Sequence, residues 1–218
     1  MDRDNVELKG TKSADDPIHD LDNLDEQLSQ VCKLNIDNFM DTLGIQKCAQ
    51  GYRFDFFNRQ ILFDGTDFID LSGTVLLPAI KAVFCRYLIM HPQIKTDSSG
   101  KLVTFREFSG AGPLFSRFVE NTNKTIETAF SGRLDALEEK CKALFGMPLG
   151  NCACDLSIRF KALPRIPVTL QFNESDDTFP ATSAFLFHED AISYLDLKSL
   201  AGIVTCLTGF LIKGESSE

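Results

Sequence analysis

The stretch "FNESDDTFP" (172–180) sets three carboxylates, Glu174, Asp176 and Asp177, between two apolar, alternating segments. Carboxylates gathered on one turn either grip a hard cation or a basic partner, or close the turn by hydrogen-bonding their own backbone. A calcium loop counted from Asn173 requires Gly at its sixth place and Glu at its twelfth, where this chain has Thr178 and Ala184. The EF-hand pattern therefore fails. What remains is either Asp176 and Asp177 as contacts for a partner, or a solvated hairpin tip.

A second stretch, "TFREFSGAGP" (104–113), delivers Arg106 and Glu107 to the end of an expected strand, with Gly110 and Gly112 just before an expected helix near Pro113. Such a turn offers free N–H groups and the positive end of a helix dipole to an anion, which Arg106 would clamp bidentately. Neither the P-loop nor the G-x-G-x-x-G pattern is present, so a plain tight turn is the competing reading. Ligand-binding candidates are thus Arg106, Glu107, Gly110, Gly112, Asp176 and Asp177.

"NCACD" places Cys152 and Cys154 two apart, a spacing for a soft metal only if further thiols or imidazoles join them. No second knuckle follows. No metal site is assigned, and the pair reads equally as two small core residues on one strand face. His188 precedes Glu189 and Asp190, a grouping suited to acid–base work. A small enzyme with a His–carboxylate pocket, with or without a metal, is the alternative function this grouping offers. No G-x-S-x-G elbow and no H-E-x-x-H helix occurs.

The elements that must position these residues follow from periodicity. Leu21, Leu24, Leu28, Val31, Cys32, Phe39, Met40 and Leu43 keep helical spacing, with Asp22 as N-cap and Gly44 as the stop. "YRFDFFNRQILF" alternates and turns at Asn58–Arg59, and with residues 67–71 it makes a three-stranded meander. "LPAIKAVFCRYLIM" is helical, with Pro78 in its first turn. "KLVTFREF" reads as a strand. One helix is expected over 114–130 and another from Leu134 to Phe145, with Glu138 and Lys142 paired at i, i+4. "CDLSIRFKALPRIPVTLQFN" is extended and proline-punctuated, and pairs with "ATSAFLF" across the acidic loop. A last helix runs through Leu197–Leu211 with Asp196 as N-cap. Hairpins separated by helices, without βαβ alternation, give an α+β fold: antiparallel hairpins and a meander packed on about five helices around a single core.

Composition narrows the function class. Net charge is −9, of which residues 1–41 carry −7 through 11 acids and 4 bases. No Lys/Arg stripe is present, which argues against a nucleic-acid or anionic-membrane surface. Nineteen Phe and no Trp point to a phenylalanine-built interior. The odd set of seven cysteines reads as reduced and mostly buried. "MDRDNVELKG" has no apolar h-region, and "LAGIVTCLTGFLI" (200–212) falls short of the about 20 residues of a membrane span. A cytoplasmic location is expected, with residues 1–19 a flexible acidic leader and 20–214 a single domain.

Three pieces together, "FREFSGAGPLFSRF" (105–118), "LPRIPVTLQFNESDDTFPATSAFLF" (163–187) and the closing leucine-rich helix, resemble the domain-of-unknown-function family 3786, found mainly in anaerobic bacteria and archaea. The resemblance spans roughly residues 45–212, and its sharpest motif is D-x-F-P at Asp177, Phe179 and Pro180. Some members carry a ferredoxin-type iron–sulfur domain, whose cysteine spacing this chain lacks. The resemblance implies no activity and no particular cofactor. With no catalytic constellation, a charged turn at 104–112 and an acidic loop at 173–177, the expected function is a non-catalytic accessory module that docks a protein partner or a cofactor. What the resemblance implies is its company, anaerobic metabolism, with an iron–sulfur or corrinoid protein as partner or a redox or corrinoid-type cofactor. The resemblance also implies that Phe179 packs down while Pro180 stiffens the entry to the next strand.

Overall fold

The computed structural model describes residues 23–94, 100–150 and 153–213. Its first part is helical but broken: α1 (Leu24–Val31), a 3₁₀ turn (Ile36–Asn38) and the single turn α2 (Met40–Leu43) replace the continuous helix expected from spacing. Asn35, Asp37 and Asn38 explain the break, because short polar side chains compete with helical backbone bonds. Gly44 ends the segment in the left-handed conformation, φ 72°. The expected cap at Asp22 lies outside the described residues.

Strands β1 (Gln46–Cys48), β2 (Gly51–Phe56), β3 (Arg59–Phe63) and β4 (Phe68–Asp70) form an antiparallel sheet in sequence order, one strand more than expected. Phe56 pairs with Arg59, so the hairpin turns at Phe57–Asn58, one residue earlier than the alternation suggested. The inward row Phe54, Phe56, Ile61, Phe63 and Phe68 is buried. Helix α3 (Pro78–Ile89) lays Phe84 against it, with ring centroids 5.3 Å from Phe54, 5.0 Å from Phe56 and 5.4 Å from Phe68, all edge-on.

The second sheet has the order β5 (Leu102–Thr104), β9 (Thr182–His188), β8 (Ile166–Asn173), β7 (Leu156–Leu163), β6 (Met147–Pro148), antiparallel throughout. What read as one extended, proline-punctuated run is two strands, β7 and β8, folded back at Pro164–Arg165. β8 and β9 pair from Asn173↔Thr182 across the acidic loop, as the sequence suggested. The sheets meet where β2 lies against β7, and the Phe57 amide donates to the Ala162 carbonyl at 3.2 Å.

Helices α4 (Gly112–Asn121), α5 (Asn123–Phe130), α6 (Leu134–Ala143) and α7 (Leu197–Lys213) complete the chain, with α5 laid against β9. The single helix expected over 114–130 is split at Thr122, whose Oγ1 donates to the Phe118 carbonyl (2.6 Å) and whose backbone leaves helical space, φ −127° and ψ −79°. The break turns α5 onto β9, where Asn123 Nδ2 donates to Ser183 O and Glu127 Oε1 accepts the Ser183 amide. Asp196 caps α7 as expected, its Oδ1 accepting the Ser199 amide at 2.8 Å. Phe54, Phe56, Phe172 and Phe185 are each at most 3% exposed, within a hydrophobic core to which both sheets and the helices contribute. The fold is α+β with a single core.

Candidate functional site

The acidic loop is two structures in one. Its first half is a helix cap: the Glu174 carboxylate accepts the Gly132 amide (2.7 Å) through Oε1 and the Leu134 amide (3.1 Å), the first of α6, through Oε2. Arg133, in the N-cap position of α6, supplies no side-chain bond, so a residue forty positions away does its work. The Gly132 amide is the largest of the contacts that hold the Glu174 carboxyl below its ordinary range; the Ser175 and Leu134 amides add to it, against some burial. Glu174 is fixed from its own backbone too, its amide donating to Asp155 Oδ2 at 2.8 Å.

Glu174→Ala is expected to cost about 1 kcal/mol of stability, the usual worth of a helix cap. Because folding lowers the Glu174 pKa, the contribution is fully present above the ordinary value of 4.5 and is lost as pH falls through the lower folded value. Urea titrations of both proteins check this: the gap is widest at pH 7 and closes in acid.

The second half is a locked turn. Asp176 Oδ1 accepts the Thr178 and Phe179 amides, each at 2.7 Å, and the Asp176 amide donates to the Phe179 carbonyl at 2.9 Å. The Thr178 amide, then that of Phe179, holds the Asp176 carboxyl below its usual value. Asp176 is therefore spent on the turn. Asp177 is exposed and makes no hydrogen bond or ion pair among the described residues. Phe179, expected to pack down, is instead 68% exposed, because the turn it closes is anchored by Asp176 and not by its own ring. The tip presents an aromatic ring and a free carboxylate on a backbone closed by its own hydrogen bonds.

The turn at 104–112 takes a different form from the expected strand end. The strand stops at Thr104, and Arg106 and Glu107 lie in a 3₁₀ turn (Phe105–Glu107). Glu107 Oε2 accepts the Thr104 amide (2.7 Å) and hydroxyl (3.0 Å) in a reciprocal capping box, with Lys101 Nζ 3.6 Å from Oε1. The Thr104 amide, ahead of its hydroxyl and Lys101, lowers the Glu107 carboxyl. The Arg106 guanidinium lies over the Phe115 ring at 5.5 Å. Gly110 adopts φ 84° and needs its lack of side chain, whereas Gly112 opens α4 with nothing near its missing Cβ. No hydrogen bond or ion pair joins Arg106 or Glu107 to Asp176 or Asp177.

His188 does not join the acidic loop. It lies six residues along β9 from Thr182, about 20 Å at the rise of a strand, and its Nδ1 contacts the Gly100 carbonyl at 3.2 Å. A surface groove of about 460 Å³ lies elsewhere, lined by Glu120, Lys124, Thr125, Thr128, Ala129 and Ile212. Among the described residues, no group of three or more His, Cys, Asp or Glu is placed to hold a metal.

The expectation of uniformly reduced cysteine fails at Cys154, which is disulfide-bonded; Cys152 lies outside the described residues. Cys85 and Cys141 are free and buried, and burial pushes both thiols up to about 12, away from nucleophilic use. No helix among the described residues is long and apolar enough to cross a membrane.

These features define an α+β protein with two antiparallel sheets and an internally hydrogen-bonded, aromatic-bearing hairpin tip. The chain belongs to the family described as Domain of unknown function (DUF3786), which it matches over residues 35–209. The match begins ten residues earlier than the motifs suggested and takes in the 3₁₀ turn and α2. Comparison with curated proteins gives no match, and comparison with solved structures gives none.

Proposed function

We propose that this protein is a non-catalytic accessory module that docks a protein partner through the tip of the β8–β9 hairpin. One observation carries the reading: Phe179 is held out at 68% exposure by a turn whose carboxylate and amides are already bonded to one another. An aromatic ring displayed on a pre-ordered turn loses little entropy on binding and supplies a large apolar contact. Asp177 beside it adds a charge that selects a partner with an apolar pocket and a basic rim. An iron–sulfur or corrinoid protein of anaerobic metabolism is the partner class that the family resemblance suggests, and residues 104–112, with Arg106 exposed, give a separate contact.

The test is affinity capture from an anaerobic extract of the source cells, on immobilised wild type and on the Asp177→Lys, Phe179→Ser double variant. The expected result is a protein retained by the wild type only, which after purification binds the wild type at least tenfold more tightly than the variant. Equal affinity for the two would refute the assignment. Both changes lie on exposed side chains outside the Asp176 turn bonds, so thermal midpoints of the two proteins should agree.

A further inference from the structure

Two phenylalanines in this chain sit in the left-handed region that favours glycine: Phe57 at φ 53° and Phe145 at φ 55°. A bulky side chain there meets a steric cost that glycine avoids, so each needs a compensating gain. For Phe57 the gain is internal. It is 7% exposed, with its ring 4.8 Å from that of Phe56 and 5.7 Å from that of Phe210. Phe145 has no such return: it is 76% exposed and makes no ring contact.

The position itself explains why the backbone must be left-handed. The Phe145 amide donates to the Lys142 carbonyl (3.0 Å) and the Gly146 amide to the Cys141 carbonyl (2.9 Å), the paired bonds of a Schellman cap on α6. Phe145 itself holds the C′ place of this cap, the one that is usually glycine. Here the glycine is one place later, where a Cβ would lie 2.4 Å from Ile158 Cγ2. The cap thus accounts for the backbone conformation but not for the choice of Phe.

On a chain of net charge −9 the strand side of Phe145 is basic, while α6 mixes Glu138 and Glu139 with Lys140 and Lys142. Met147, 44% exposed, stands opposite Arg159 in the β6–β7 ladder, and Lys161 follows two residues on along the same face. Lys140 and Lys142 lie in the last turn of α6. Lys142 is paired with Glu138 at 2.8 Å, while Lys140, Arg159 and Lys161 make no ion pair among the described residues.

We propose that Phe145 is the anchor of a second docking surface, with Met147 beside it and the unpaired cations as its rim, for an acidic, apolar-bearing segment of a partner protein. Contact with that segment offsets the steric cost from outside the chain, as the core does for Phe57. The inference is independent of the hairpin tip, whose polarity is opposite.

Fluorescence anisotropy with a labelled twelve-residue peptide alternating glutamate and leucine tests it, alongside thermal melts. Phe145→Gly should raise the thermal midpoint by about 2–4 °C, since the strain goes and no core contact is lost. The same variant should bind the peptide at least tenfold more weakly. The Arg159→Glu, Lys161→Glu double variant should also lose binding, wild-type binding should weaken with salt, and Phe179→Ser should leave it unchanged. The proposal is overturned if Phe145→Gly melts below the wild type, if it binds as tightly, or if a lysine–leucine peptide binds equally well. Wild-type dimers in sedimentation that Phe145→Gly dissociates would also overturn it, by making a second copy the occupant.

Discussion

Gly51→Ala is expected to lower stability by about 3–5 kcal/mol and the thermal midpoint by roughly 10 °C, from backbone strain and a steric collision acting together. Gly51 opens β2 after the two-residue turn from β1 and adopts φ 141°. A Cβ there would lie 2.1 Å from the Phe63 carbonyl oxygen and 3.1 Å from Asp64 Cα, both backbone atoms at the end of β3. The side chain cannot rotate away, and Phe63 cannot retreat without opening its pairing with Tyr52. Gly65→Ala is the control. Gly65 has φ 98° but nothing within 4 Å of its missing Cβ, so it tests the backbone cost alone, about 1–2 kcal/mol. Urea unfolding of the two variants separates the effects, and equal losses would show that the collision is relieved elsewhere.

The contrast between those glycines shows what a one-dimensional pattern conveys. Pro78 and Asp196 were legible because caps are local: each residue acts within three or four positions of itself. Thr122 was not, since the helix breaks there in order to bring Asn123 and Glu127 onto Ser183, some sixty residues away. The fold-back at Pro164–Arg165 was hidden for a similar reason. An extended segment with a proline reads the same whether it continues or reverses, and the choice is made by the pairing of β7 with β8.

The candidate site was legible as a place and illegible in its division of labour. Glu174, Asp176 and Asp177 are alike in sequence, yet one caps a distant helix, one closes a turn and one is free. Phe179 was expected to pack down because the family resemblance sets a Phe–Pro pair at the far end of the tip, and the turn bonds made by Asp176 hold it out instead. Phe145 was expected among the apolar positions of the helix from Leu134, but α6 ends at Ala143 and leaves it exposed; the signal against the expectation is slight, glycine in "LFG" standing one residue beyond the left-handed slot. Finding it required both a backbone angle and an exposure.

Tyr87→Phe should remove about 2–4 kcal/mol, a large loss for one oxygen atom, because one buried and one partly buried backbone group would lose their partner. The Tyr87 hydroxyl donates to the Leu43 carbonyl at 2.7 Å and accepts the Arg165 amide at 3.2 Å. It thereby links the end of α2 to the β7–β8 turn, across 44 positions in one direction and 78 in the other. Burial drives the phenol well above its ordinary pKa, so it is protonated and able to donate at neutral pH. The Arg165 side chain reinforces the same junction, with Nε donating to Thr42 O at 2.9 Å and Nη2 to Asp41 O at 2.7 Å. Of these carbonyls that of Asp41 also accepts the Gly44 amide, at 3.2 Å, whereas that of Thr42 lies in the last turn, where a helix leaves its carbonyls without partners. If the hydroxyl and the guanidinium fix one junction, their losses couple, and a double-mutant cycle of Tyr87→Phe with Arg165→Ala should show an interaction of at least about 0.5 kcal/mol in urea titrations. Simple additivity would mean that the two contacts hold α2 and the β7–β8 turn independently, and that the hydroxyl acts only on the groups it touches.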